Sequence, residues 1–198
     1  FCADAKEMIM TASDYSATTL SQADFKQIVS YAGGAQNIQD IYELSGIQQG
    51  MLYHNLAQKS AEYMIQNVYD LKDGMELSNV QDAIQLMVAK CDALRTVILY
   101  EKVEKPWQVC LKEREFELEV LDWSWQGKES QKELFAEIKK NDIERGFALQ
   151  RDSLFRAKLL LLGEGKMKMI WTFHHIVVDG WCMALLRDMF VNYYEALH

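Results

Sequence analysis

The run KMKMIWTFHHIVVDGW, residues 166–181, changes character at its middle. Its first half is apolar, punctuated by lysines, and reads as a strand. It then meets two adjoining histidines, His174 and His175, with Asp179 and Gly180 following. Only four histidines occur in the chain, and two of them stand here. Successive side chains of a strand point to opposite faces, so His174 and His175 face opposite ways. A metal does not easily take two such neighbours as ligands. His-Glu-x-x-His and Cys-x-x-Cys patterns are both missing, and no metal site is expected. Two partly buried structural histidines are the plain alternative. The longer string His-His-x-x-x-Asp-Gly is far less ordinary. With average residue usage it arises by chance in a chain this long on the order of once in a few thousand. A strand end opening into a tight loop can expose one imidazole in a cleft while its neighbour is held in the core. Imidazole is well poised for proton transfer near neutral pH. Gly180 suits unusual dihedrals or close backbone approach, and Asp179 suits pairing with a cation to orient the loop.

Working outward, LFRAKLLLLG (154–163) is a second strand, and the GEG between the two is a hairpin signal. The stretch CMALLRDMFVNYYEAL (182–197) closes the chain as a helix. Further upstream, LSGIQQGMLYHNLAQ (44–58) has helical spacing with Ser45 as cap, and Gly50 inside it suggests close approach of a neighbouring backbone. A strand follows at 61–72, then a helix over 77–94 capped by Ser78. Three strands are expected at 95–101, 106–112 and 116–123, and a helix at 127–142 with Leu134, Phe135 and Ile138 inward. Strands and helices mix without regular βαβ alternation. The fold class expected is α/β, an α+β sandwich in which a mixed β-sheet is covered by helices. Trp107, Trp123 and Trp125 are expected to cap the core, and Arg156 to be paired inside the domain.

Residues 1–36 read differently. TASDYS is small and polar, a short helix spans LSQADFKQIVSYAGG (20–34) with Ser21 as cap and Asp24 completing it, and Gly33 and Gly34 end it. Composition makes this stretch an upstream interdomain linker or a docking segment, with the main unit over 37–198.

The chain has 198 residues, 49% hydrophobic, with 29 acidic against 21 basic side chains and a net charge of −8. That balance argues against nucleic acid or an anionic membrane as partner. No apolar run is long enough to span a bilayer. Cys2, Cys91, Cys110 and Cys182 are widely spaced, as reduced thiols of a cytoplasmic protein would be.

The string FHHIVVDGWC (173–182) resembles the active-site motif of condensation domains of non-ribosomal peptide synthetases, which belong to the chloramphenicol-acetyltransferase-like acyltransferases. Other stretches resemble the same family in the same order. YELSGIQQGMLYHNL (42–56) is similar to its first core motif, YPLSPMQEGMLFH, although Glu43 and Gly46 stand where proline is usual. KCDALRTVI (90–98) is similar to the second, RHExLRTxF, with Lys90, Cys91 and Asp92 replacing Arg-His-Glu. ERGFALQRDSLFRAKLL (144–160) and TASDYS (11–16) are similar to FDLxxGPLFRxxLL and to a TPSDF linker, Ala12 replacing the proline of the latter.

The resemblance implies one lobe, the N-terminal one, of a pseudo-dimeric domain whose C-terminal lobe lies beyond residue 198. It implies peptide-bond formation between substrates tethered to phosphopantetheine on upstream (donor) and downstream (acceptor) peptidyl carrier domains, with no cofactor bound by the chain itself. His175 would be the catalytic group, as base or as positioning group. His174, Asp179, Gly180 and Arg95 would be structural, Arg95 being the expected partner of Asp179. DGWC and QQGMLYH resemble the subclass joining a D-configured donor to an L-configured acceptor. The alternatives are an epimerisation-type or other acyltransferase lobe of the same fold, disfavoured by Trp181 directly after Gly180, or a non-catalytic docking module. As an isolated fragment the chain is expected to be inactive.

Overall fold

The computed structural model describes residues 10–58 and 61–198. Among these residues five α-helices, α1 (Gln22–Ala32), α2 (Gly46–Gln58), α3 (Leu77–Lys90), α4 (Lys128–Arg145) and α5 (Gly180–Leu197), are interspersed with seven strands. The strands are β1 (Ile38–Glu43), β2 (Met64–Asp70), β3 (Thr96–Leu99), β4 (Trp107–Leu111), β5 (Glu119–Asp122), β6 (Phe155–Gly163) and β7 (Lys166–His174).

The single mixed sheet expected from the sequence is in fact two. A four-stranded sheet has the order β2-β7-β6-β5, antiparallel except for the parallel β5–β6 pair. A three-stranded antiparallel sheet has the order β1-β4-β3. The β6–β7 hairpin forms as read. Gly163 pairs with Lys166, and Glu164 and Gly165 take φ of 53° and 73°. Positive φ at both central residues gives the turn a twist that matches right-twisted strands.

Alternation along β7 divides the large sheet into two faces. Met169, Trp171 and Phe173 point into the main core, with Val80, Ile84 and Met87 of α3 and Leu186 and Phe190 of α5. The intervening residues Thr172 and His174 are also fully buried, on the face that α4 covers. There Thr172 donates a hydrogen bond to the Asp142 carboxylate. Arg156 donates to Asp142 Oδ1 at 3.0 Å and to the Asp142 and Gly146 carbonyls at 2.7 Å, so it is paired inside the domain as expected. The buried Asp142 carboxylate, paired in this way with a half-buried guanidinium, does not leave an uncompensated charge. α4 runs three residues past its expected end, so that Asp142 lies within its last turn.

The strand β1 has no counterpart in the sequence reading. A register irregularity between Ile38 and Asp40 buries Ile38 and Ile41, three residues apart, so the period-two signature is lost. Two caps differ as well. Glu76, not Ser78, holds the N-cap position of α3. Ser21 caps α1 through the Asp24 amide at 3.1 Å, but the Asp24 carboxylate turns inward to accept from Trp107 Nε1 and the Glu104 amide, both at 2.8 Å.

That inward turn bears on the segment before residue 37. Tyr15, Ala17, Phe25 and Ile28 are buried in one cluster with Ile38, Ile41, Val97, Trp107 and Val109 of the three-stranded sheet. The described part of this segment is therefore packed against the sheet, and Gly33–Gly34, with φ of 69° and 134°, is a turn within the packed unit. A polar composition concealed four apolar side chains that need burial. Residues 1–9, including Cys2, lie outside the described residues. Cys91, Cys110 and Cys182 are free thiols. Trp107 is fully buried, whereas Trp125 is 76% exposed and caps nothing. Among the described residues no helix is long and apolar enough to cross a membrane.

Candidate active site

β7 ends at His174, and His175 begins the turn that leads to α5. The two histidines differ sharply in environment. His174 is 1% exposed, while His175 is half-buried. His174 Nδ1 accepts the Ile176 amide at 3.1 Å, and its Nε2 lies 3.4 Å from the Asn55 side-chain amide. An accepting Nδ1 leaves the proton of the neutral ring on Nε2, which bonds the Asn55 side chain when that amide is turned to present its oxygen. The rings of Tyr63 and Phe147 flank the imidazole at 6.3 and 6.4 Å. Burial, with His175 adding like charge, pushes the His174 pKa down to about 4. His174 is therefore neutral near pH 7 and serves as a brace.

The turn is held from several sides. The His175 amide donates to the Tyr63 carbonyl at 2.8 Å. Ile176 is buried among Leu44, Leu52, Ile98, Phe147, Leu149 and Leu154, and its carbonyl accepts from Gln48 Nε2 at 2.8 Å. The local sequence accounts for α2 standing where it does. Ser45 and Gln48 cap it reciprocally, Ser45 N to Gln48 Oε1 at 2.9 Å and Gln48 N to Ser45 Oγ at 3.3 Å. Gln48, Asn55 and Tyr63 were not singled out as site residues from the sequence. Gln48 and Asn55 lie within the first core motif, and four- and three-residue spacing on a helix beside Leu52 is the signal that places them on one side.

Asp179 is not a partner of Arg95. It is the N-cap of α5, its carboxylate accepting the Cys182 amide at 2.9 Å, which holds its pKa below the usual carboxylate value. Arg95 is buried elsewhere. It donates to the Leu111 and Lys112 carbonyls at 2.6 Å and pairs with Asp92, three residues before it in the chain. A helix cap satisfies the acid locally, and two carbonyls with a near-neighbour acid engage the terminal guanidinium nitrogens, leaving Arg95 Nε buried without a hydrogen bond among the described residues. Gly180 also departs from expectation. It opens α5 without positive φ, and a Cβ there would meet nothing within 4 Å. The same open space surrounds Gly50, so no neighbouring backbone approaches it among the described residues.

The two helices on either side of the turn expose several apolar side chains. Ile47, Tyr53 and Leu56 of α2 and Trp181 and Leu185 of α5 are 51–85% exposed. A cavity of about 410 Å³ lined by Asn55, Leu56, Tyr100 and Phe147 adjoins the partners of His174. The larger cavity, about 530 Å³, lies between the end of β2 and the C-terminal half of α5 and includes no residue of the turn. Among the described residues no three His, Cys, Asp or Glu side chains are grouped to hold a metal.

Residues 38–198 match the family model for the condensation domain. The chain is 34% identical over 99% of its length to a mycosubtilin synthase of Bacillus subtilis, and 35% identical over 82% to tyrocidine synthase 2 of Brevibacillus parabrevis. It spans only 8% and 4% of those proteins. Among solved structures, the starter condensation domain of rhizomide synthetase superposes with a TM-score of 0.71 at 22% identity, over 80% of this chain and 40% of that one. This likeness speaks to the fold.

Proposed function

Because the chain belongs to the condensation-domain family of non-ribosomal peptide synthetases, we propose that it supplies the His175 half of a peptide-bond-forming site. In this reading residues 37–198 are the N-terminal lobe, residues 1–36 are the segment that precedes it, and a second lobe faces the histidine turn. The observation that carries the proposal is the contrast within the pair. A fully buried, neutral His174 braces the strand end, and a half-buried His175 follows it on a turn between α2 and α5, both of which expose apolar side chains. Those side chains suit a surface that another lobe and two tethered substrates cover.

The reaction proposed is aminolysis of a thioester. The amine nitrogen of a carrier-bound aminoacyl acceptor attacks the thioester carbonyl of a carrier-bound donor. The tetrahedral intermediate collapses as the carbon–sulfur bond breaks, and the amide forms. The amine's proton ends on the leaving thiolate. His175 takes or orients that proton, a role typically worth about 10²–10⁴-fold. Both substrates arrive on phosphopantetheine arms of partner carrier domains, so the chain itself needs no resident cofactor. The DGWC sequence at 179–182 favours a D-configured donor and an L-configured acceptor.

Single-turnover condensation with loaded carrier domains tests this in the longest natural polypeptide that contains residues 1–198. His175→Ala is expected to lower the rate about 10²-fold or more, and the 198-residue chain alone to give no turnover above that variant. Wild-type rates from His175→Ala would refute the catalytic assignment, and equal rates with D- and L-donors would refute the subclass.

A further inference from the structure

We infer that Gln48 is a positioning residue for His175, holding the histidine turn through the Ile176 carbonyl and tying it to the three-stranded sheet. The inference rests on the reading of His175 given above. Three successive peptide units surround the His175 side chain; the Val177 amide closes the turn on the His174 carbonyl at 3.3 Å, and each unit is also held by one further hydrogen bond. The unit between residues 174 and 175 donates to the Tyr63 carbonyl at 2.8 Å. The next donates to His174 Nδ1 at 3.1 Å. The third accepts from Gln48 Nε2 at 2.8 Å. Of these three fasteners, only Gln48 is a side chain from another element acting on a carbonyl of the turn.

The Gln48 carboxamide has no spare capacity. Its nitrogen also donates to Gln108 Oε1 at 2.9 Å, and its oxygen accepts from Gln108 Nε2 at 3.1 Å and from the Ser45 amide at 2.9 Å. Gln108 Nε2 donates in addition to the Glu43 carbonyl at 3.1 Å. Two donors and two acceptor sites are thus all used. The amide pair joins β4 of the small sheet to a turn that leaves β7 of the large one. Only a carboxamide at position 48 can serve the helix cap through its oxygen and the turn through its nitrogen. A displacement of about 1 Å at a reacting group can cost about 10²-fold.

Two substitutions separate the turn from the cap. Gln48→Glu keeps the oxygen for the Ser45 amide, and Ser-x-x-Glu is itself a capping box, but it presents a carboxylate to the Ile176 carbonyl. Gln48→Leu removes both functions. Each is to be measured in the same polypeptide, alone and combined with His175→Ala, by condensation kinetics and by amide hydrogen exchange. Both are expected to lower kcat about 10–100-fold with KM for either loaded carrier unchanged. Neither is expected to add its full factor to the loss caused by His175→Ala, and the His175 and Ile176 amides are expected to exchange faster in both. Wild-type kcat in Gln48→Glu would overturn the inference, leaving the residue a helix cap only. Fully multiplicative losses with His175→Ala, or unchanged exchange at 175 and 176, would overturn it too, even with the condensation reaction intact. Undiminished turnover by His175→Ala would instead sink the proposed function, and the positioning role with it.

Discussion

His174 shows what adjacency conceals. Its ring is neutral, accepts the Ile176 amide at Nδ1, and packs between two aromatic rings. Protonation must break the Nδ1 contact as well as charge a buried group. The folded pKa, about 4, lies below the ordinary imidazole value of 6.5. Stability is therefore complete above pH 6.5 and is lost as pH falls from there towards 4, where the unfolded chain binds a proton that the folded chain refuses. The full loss is about 3 kcal/mol. Urea midpoints at pH 7 and pH 4.5 should fall further for the wild type than for His174→Asn, which keeps an acceptor near the Ile176 amide but cannot titrate in this range. Equal falls would mean that His174 is not the group responsible. Strand alternation predicts two environments for the histidines, and their burial does differ, but β7 ends at His174 and His175 already lies in the turn. The fate of Asp179 was not legible in the sequence. A motif fixes which residue types stand near each other in sequence, whereas the choice between a distant guanidinium and a local amide depends on where α5 begins.

At the scale of elements, the helices and the hairpin carry strong local signals: 3.6-residue periodicity, capping residues and a Gly-Glu-Gly turn. All five helices and the β6–β7 hairpin could be read from these. The strand β1 could not, because its bulge shifts the buried positions from every second residue to every third. The parallel pairing of β5 with β6 is equally invisible, since partner choice is set by long-range packing. α2 exposes the most informative contrast. Gly50 sits within the helix with open space around its missing side chain. Gly50→Ala should raise the stability of the 198-residue chain by about 0.5–1 kcal/mol. If the face of α2 is covered in the complete domain, the same substitution should lower condensation turnover there. Thermal melts of the chain and kinetics of the domain check the two halves of this expectation, and destabilisation of the isolated chain would show that the glycine is needed within it.

For the whole molecule, the two sheets and residues 10–36 behave as parts of one packed body. Fully burying a large apolar side chain contributes about 1.5–3 kcal/mol, and Tyr15, Phe25 and Ile28 all face the small sheet. Deleting residues 1–34 should then cost about 5 kcal/mol, of the order of an ordinary domain's whole stability. Urea unfolding and dye binding to exposed apolar surface would measure it, and an unchanged midpoint would return the segment to the status of a solvated arm. The mixed architecture was legible because periodicity and turn chemistry are local. The attachment of the N-terminal segment was not, since composition averages over a stretch in which a few apolar residues do the packing.

The inward turn of Asp24 has a practical corollary for building hybrid synthetases. A junction placed at the glycine pair, the most inviting cut in the sequence, would transplant Trp107 and the Glu104 amide without the carboxylate that both of them bond. Splice points upstream of Met10 keep donor and acceptor on the same side of the seam. A chimera cut at residue 34 should be rescued when the incoming segment brings its own acid at the place of Asp24.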